Sequence, residues 1–117
     1  MAYRIEKLDD FDVIELRLEG VVDAEEFFET RMQMLAMFEK HGEMSSLVDI
    51  RDMNFGMSTL QIHEFASTIQ DPVGLRIALL SRPDDADARF FETVAQNKGV
   101  PLRLFTDYSE ALAFLSE

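Results

Sequence analysis

The residues of this chain that could do acid–base chemistry cluster around Arg51. Asp49 and Asp52 flank that arginine, and carboxylates at this spacing can bind a cation or act as an acid and a base. Asp49 and Arg51 lie two positions apart, so in a strand they share one face, and this spacing favours a solvated ion pair. His41 and His63 lack the clustered carboxylates of a metal site, which argues against metal or acid–base catalysis.

Other catalytic signatures are missing from the sequence. The chain has no cysteine, which excludes thiolate catalysis and disulfides. It contains no glycine-rich phosphate loop, no Ser-His-Asp set and no nucleophile elbow. The sequence therefore predicts a protein that is not an enzyme and that needs no cofactor or metal.

The most unusual stretch is an apolar run, Met53, Phe55 and Met57, where a surface loop is expected after a strand. Ligands in α/β sheets collect at the carboxyl edge of the strands, and methionine adapts to irregular ligands or partners. We therefore predict that this run borders an apolar ligand or partner pocket, together with three residues of the first helix, Met34, Leu35 and Phe38. The alternative is that Met53 and Phe55 fold back to fill the core.

Ser58 stands at the start of a predicted helix and has two interpretations. As an N-cap, its hydroxyl accepts a backbone N–H that would otherwise be unpaired, which contributes about 1 kcal/mol. As a phosphorylation site, it would gain about −1.5 to −2 charges at the positive end of a helix. The sequence leaves both readings open.

Period-two alternation identifies the strand at residues 13–22, where apolar and charged side chains take opposite faces. A short turn joins it to a strand at residues 3–8, which predicts an antiparallel hairpin. Three further strands, at residues 46–51, 75–81 and 102–106, alternate with four helices. The first three helices begin at Asp23, Ser58 and near Asp84 and end at Gly42, Asp71–Pro72 and Gly99; the fourth begins at Asp107.

The resulting order is β-β-α-β-α-β-α-β-α in a single α/β domain, residues 1–117. Such an order predicts a five-stranded mixed sheet that is mainly parallel. If Leu16 and Ile77 face the core, then Arg17, Arg76 and Arg103 face the other way. We therefore expect the helices mostly on one face, and mixed charges on the other face, open to water or to a partner.

This order, with several of its segments, resembles the SpoIIAA-like or STAS-like families of bacterial proteins. The stretches that carry the resemblance are residues 47–52, 58–60, 88–92, 104–107 and 110–115. The resemblance implies a non-enzymatic regulatory module that binds a protein partner, and it places Ser58 where the family's antagonists carry a phosphorylated serine. CRAL-TRIO domains, which share a similar architecture, bind lipids, so a small apolar or lipid-like ligand is the alternative function.

Charge narrows the classes of partner. Eleven basic and 23 acidic residues give a net charge of −12, which repels nucleic acid and anionic membrane surfaces. No apolar run approaches the roughly 18 residues of a membrane span, and the N-terminal residues do not read as a signal peptide, so we expect a cytoplasmic protein. A half-covered sheet with apolar loop residues also favours a homodimer.

Overall fold

The computed structural model describes residues 2–69 and 75–117 and shows one five-stranded sheet with four helices. The five strands lie side by side in chain order; the first is antiparallel to the second, and the other neighbours are parallel. This confirms the predicted mixed sheet. In chain order the elements are β1 Ala2–Lys7, β2 Val13–Val22, α1 Ala24–His41, β3 Ser45–Phe55, α2 Thr59–Thr68, β4 Ile77–Leu80, α3 Ala86–Asn97, β5 Leu102–Phe105 and α4 Tyr108–Leu115.

Side-chain caps fix where the helices begin. The Glu26 N–H donates to Asp23 Oδ1 at 2.8 Å and the Asp23 N–H donates to Glu26 Oε1 at 3.1 Å, which completes the capping box predicted for α1. The helix ends at Gly42, whose φ of 92° suits a residue without a Cβ. The predicted helix break at Asp71–Pro72 lies outside the described residues.

β3 is longer than the sequence predicted, because it runs on to Phe55. Residues 52–57 were expected to form a loop, but Gly20 pairs with Met53 and Val22 pairs with Phe55. The register between β2 and β3 shifts between Arg17 and Glu19, and such an irregularity lets pairing resume beyond the bulge. Pairing with β2 thus keeps residues 52–55 in the sheet, although their composition alone favours a loop.

The helices divide three to one between the faces of the sheet, as expected for a sheet covered mostly on one side. α1, α2 and α3 pack on the larger core, and α4 packs on a smaller cluster around Leu47 and Leu80. The expectation of an open charged face needs correction where α4 lies. There the guanidinium groups of Arg76 and Arg103 lie 5.0 and 5.3 Å from the Phe114 ring centroid, so α4 covers part of the face that was expected to be open.

Candidate functional site

The structure separates the predicted pocket residues into two groups. At the end of β3, Met53 is fully buried in the core, and Phe55 stacks on Phe27 with ring centroids 6.1 Å apart. Met57 also packs against this core. Met53 therefore fills the core, as the alternative interpretation held.

The three α1 residues lie further down the helix. Met34 is seven residues beyond Phe27 and Phe38 is eleven residues beyond it, distances of about 10 and 16 Å along a helix axis. Met34 and Phe38 are buried, whereas Leu35 is 40% exposed. The structure thus does not bring these residues to the Phe55 end of the sheet, but it places Met34 and Leu35 on a different apolar site.

That site begins with a cavity of about 50 Å³ between the sheet and the three helices of the larger face, here called the interior cavity. Its floor is the apolar face of the central strands, including Val48 and Leu79, and its walls are Met34 and the Phe65 and Phe91 rings. The hydroxyl of Thr30, one of the polar lining residues, donates to the Phe27 carbonyl at 2.7 Å. The cavity therefore offers an almost wholly apolar surface.

A second depression, here called the outer groove, lies between α1 and α2 and has a volume of about 300 Å³. Its α1 wall contains Phe28 and Leu35, and its α2 side contains Thr68. Three residues, Arg31, Phe65 and Ile69, line both the outer groove and the interior cavity. The two depressions are therefore neighbours: the outer groove lies at the helix surface, and the interior cavity lies against the sheet.

Aromatic contacts explain how α1 and α2 are held without closing this space. The Phe65 ring of α2 lies 4.7 Å from the Phe27 ring and 4.9 Å from the Phe28 ring of α1. Such tilted and edge-on pairs are favourable aromatic geometries. Because one bulky ring on α2 meets two on α1, the helices touch at that point and leave the groove beside it.

Among the described residues, Arg31 is the one cationic residue that lines both depressions. A guanidinium carries five N–H donors, so it can serve a ligand carboxylate beside the interactions that it makes within the chain. The site thus combines mostly apolar walls with a cationic residue, Arg31. The sequence analysis missed Arg31 because nothing in its local spacing relates it to Phe65 or Ile69.

The charged residues around Arg51 form ion pairs on the opposite sheet face. Asp49 pairs with Arg51 as predicted, but its side chain is only 2% exposed, so the pair is not the solvated one that was expected. Beside it, Arg17 Nη2 donates to Asp52 Oδ2 at 3.2 Å. Hydrogen bonds to these carboxylates raise the pKa of both Arg17 and Arg51. These partners indicate a structural network.

Ser58 is exposed and caps α2. Its Oγ accepts the Gln61 N–H at 3.2 Å, and Gln61 Oε1 accepts the Ser58 N–H at 3.0 Å. His41 and His63 are both exposed. In residues 2–69 and 75–117, no three His, Asp or Glu side chains come together as a metal site would require. Among the same residues no helix has the length and apolar character to cross a bilayer.

The chain matches no protein-family model and no curated protein sequence. It is similar in structure to an uncharacterised protein of the DUF3478 family from Shewanella loihica PV-4, whose crystal structure shows a SpoIIAA-like fold. The two are 16% identical and superpose with a TM-score of 0.64 over 97% of this chain and 92% of the other. The chain therefore has a SpoIIAA-like fold, and this likeness establishes the fold alone.

Proposed function

We propose that this protein is a non-catalytic binding domain that holds a small apolar ligand between α1 and α2. The observation that carries the proposal is that the outer groove and the interior cavity share three lining residues, Arg31, Phe65 and Ile69. Small-molecule sites are concave, mostly apolar and fitted with a few polar groups that fix orientation. This site has that composition.

The geometry suits a chain-like ligand with an anionic head. An acyl chain lying along the outer groove would cover Phe28 and Leu35, which are 46% and 40% exposed. Its tip would reach the interior cavity, and each methylene removed from water would contribute about 0.8 kcal/mol. Arg31, which lines both depressions, would favour a carboxylate over an alcohol of the same length.

Thermal unfolding with a series of fatty acids and the matching alcohols tests this proposal. A ligand at about ten times its Kd stabilises the native state by about 1.4 kcal/mol, which raises the Tm by about 5 °C in a domain of this size. We expect the rise to grow with chain length and to be larger for the acids.

Two variants and one control locate the site. Val48→Phe fills the interior cavity, and Leu35→Gln makes one wall of the outer groove polar; both should reduce the ligand-induced rise in Tm. Met32→Gln is the matched control, because Met32 is 63% exposed on the same helix but does not line either depression. If no acid raises the Tm, or if all three variants respond like the wild type, the proposal is wrong.

A second candidate function is a regulatory module that binds a protein through α1. It is favoured by the exposed apolar residues Phe28, Met32 and Leu35, which lie at positions i, i+4 and i+7 of the helix and so form one stripe. A partner covering this stripe would contact Met32, whereas a ligand in the outer groove would not. Binding that Met32→Gln weakens as much as Leu35→Gln therefore identifies a protein interface.

A further inference from the structure

β1 is one of the two edge strands of the sheet, and it carries exposed side chains along most of its length. The Leu8 N–H donates to the Val13 carbonyl, and in an antiparallel pair the residues that face the neighbouring strand alternate. The even-numbered residues of β1 therefore direct their backbone groups to β2. The N–H and C=O groups of Tyr3, Ile5 and Lys7 point away from the sheet, where another strand could pair with them.

The side chains on the charged face of β1 oppose like charges on β2. Arg4 lies opposite Arg17, and Glu6 lies opposite Glu15. Like charges directly opposite one another in adjacent strands are destabilising. Arg17 forms an ion pair with Asp52 of β3. Arg4 and Glu6, by contrast, face like charges on β2, and opposite charges on a strand paired with β1 would complement them.

We propose that a second copy of this chain pairs antiparallel along β1, with Ile5 of each copy on the two-fold axis. In this register Ile5 exchanges backbone hydrogen bonds with the partner's Ile5, and Tyr3 does so with the partner's Lys7. Arg4 then lies opposite the partner's Glu6, and Glu6 opposite the partner's Arg4. The two sheets become one continuous sheet, and both charged positions gain an opposite charge.

The charges select this register over its neighbours. The nearest alternative registers that still pair the outward backbone groups move the two-fold axis by one residue, from Ile5 to Arg4 or to Glu6. One shift places Arg4 opposite the partner's Arg4, and the other places Glu6 opposite the partner's Glu6. Because each alternative brings two like charges together at the axis, only the register centred on Ile5 is complementary throughout.

Charge reversal at positions 4 and 6, followed by sedimentation equilibrium at about 0.15 M salt, tests the interface. Arg4→Glu and Glu6→Arg each place two like-charge pairs in the interface and should weaken dimerisation by about tenfold or more. The double variant restores opposite charges and should dimerise like the wild type. Within each chain, either single change replaces a like-charge pair with β2 by an opposite one, so lost dimerisation will not reflect a weakened fold.

Amide hydrogen exchange supplies a second readout. In the dimer the N–H groups of Tyr3, Ile5 and Lys7 become hydrogen-bonded, so their exchange should slow as the protein concentration rises. The proposal is overturned if the wild type remains monomeric at high micromolar concentration, if either single variant dimerises like the wild type, or if the double variant does not recover. Exchange at these three amides that does not depend on concentration also overturns it.

Discussion

Arg51 donates two parallel hydrogen bonds to Asp49, from Nε to Oδ1 at 3.1 Å and from Nη2 to Oδ2 at 2.9 Å. The Arg51 backbone N–H also donates to Oδ1 at 3.1 Å. The carboxylate is buried while the arginine remains 38% exposed. The Asp49 carboxylate is thus removed from water, and the hydrogen bonds from Arg51 replace its hydration. Loss of the carboxylate would therefore destabilise the fold.

Replacing that carboxylate should destabilise the fold. We expect Asp49→Asn to lower the free energy of unfolding by about 2 kcal/mol, because three donated hydrogen bonds lose a charged acceptor. Asp52→Asn is the control, since its ion pair with Arg17 is exposed and should contribute about 0–1 kcal/mol. Urea unfolding measures both, and equal effects would contradict the structural role assigned to Asp49.

Tyr108 should make stability fall at high pH. Its hydroxyl donates to Glu15 Oε2 at 2.8 Å, and burial together with this bond raises the pKa of Tyr108 from 10.0 to about 12. Between these values the unfolded chain loses the phenolic proton while the folded chain keeps it. The stabilisation is therefore complete below pH 10 and is lost as the pH rises toward 12.

Tyr108→Phe isolates this effect. The variant should lose about 1 kcal/mol of stability at neutral pH, because it lacks the hydrogen bond, and its stability should decline less steeply than that of the wild type from pH 10 upward. Unfolding curves of both proteins across this range provide the comparison. Parallel pH profiles would show that the Tyr108 hydroxyl titrates alike in the folded and unfolded chains.

Met53 separates core packing from ligand binding. Because the side chain is fully buried in the larger core, Met53→Ala should cost about 2–5 kcal/mol of stability. It should leave the ligand-induced rise in Tm unchanged, since Met53 does not line the interior cavity or the outer groove. If Met53→Ala instead has normal stability and its Tm no longer rises with fatty acids, Met53 is part of the binding site.

Ser58 substitutions test its capping role. Ser58→Ala should lower stability by about 1 kcal/mol, whereas Ser58→Asp should restore most of the loss, because aspartate is an equally good N-cap and suits the helix N-terminus. Thermal unfolding should give the highest Tm for the wild type, a slightly lower one for Ser58→Asp and the lowest for Ser58→Ala. If Ser58→Ala is neutral, the capping box seen in the structure contributes little.

The sequence patterns predicted the number of strands and their directions. Alternation in residues 13–22 predicted β2 with its observed bounds, and the Asp23–Glu26 and Ser58–Gln61 spacings located the starts of α1 and α2. The end of β3 was missed, because residues 52–55 stay in the sheet through pairing with residues 19–22, which lie more than 30 positions away. Such long-range pairing leaves no local signature.

The candidate site was harder to predict for a similar reason. The outer groove exists because Phe65 meets Phe27 and Phe28, which fixes the spacing of two helices that are distant in sequence. Apolar residues at helical spacing indicate a buried face but not the width of the space that it faces. Met34 and Leu35 were therefore grouped with the end of β3, whereas in the structure they line the interior cavity and the outer groove.

The most direct test of the binding proposal is an NMR search for intermolecular NOEs between decanoate and methyl-labelled protein. Of the methyl-bearing residues, Met34, Val48 and Leu79 line the interior cavity, Leu35 lines the outer groove, and Ile69 lines both. We predict NOEs from the decanoate chain to methyl groups in both depressions. In Val48→Phe, the NOEs to the methyl groups of the interior cavity should be lost. Saturating decanoate that gives no NOE to these methyls, or NOEs only to Met32, would contradict a ligand site between α1 and α2.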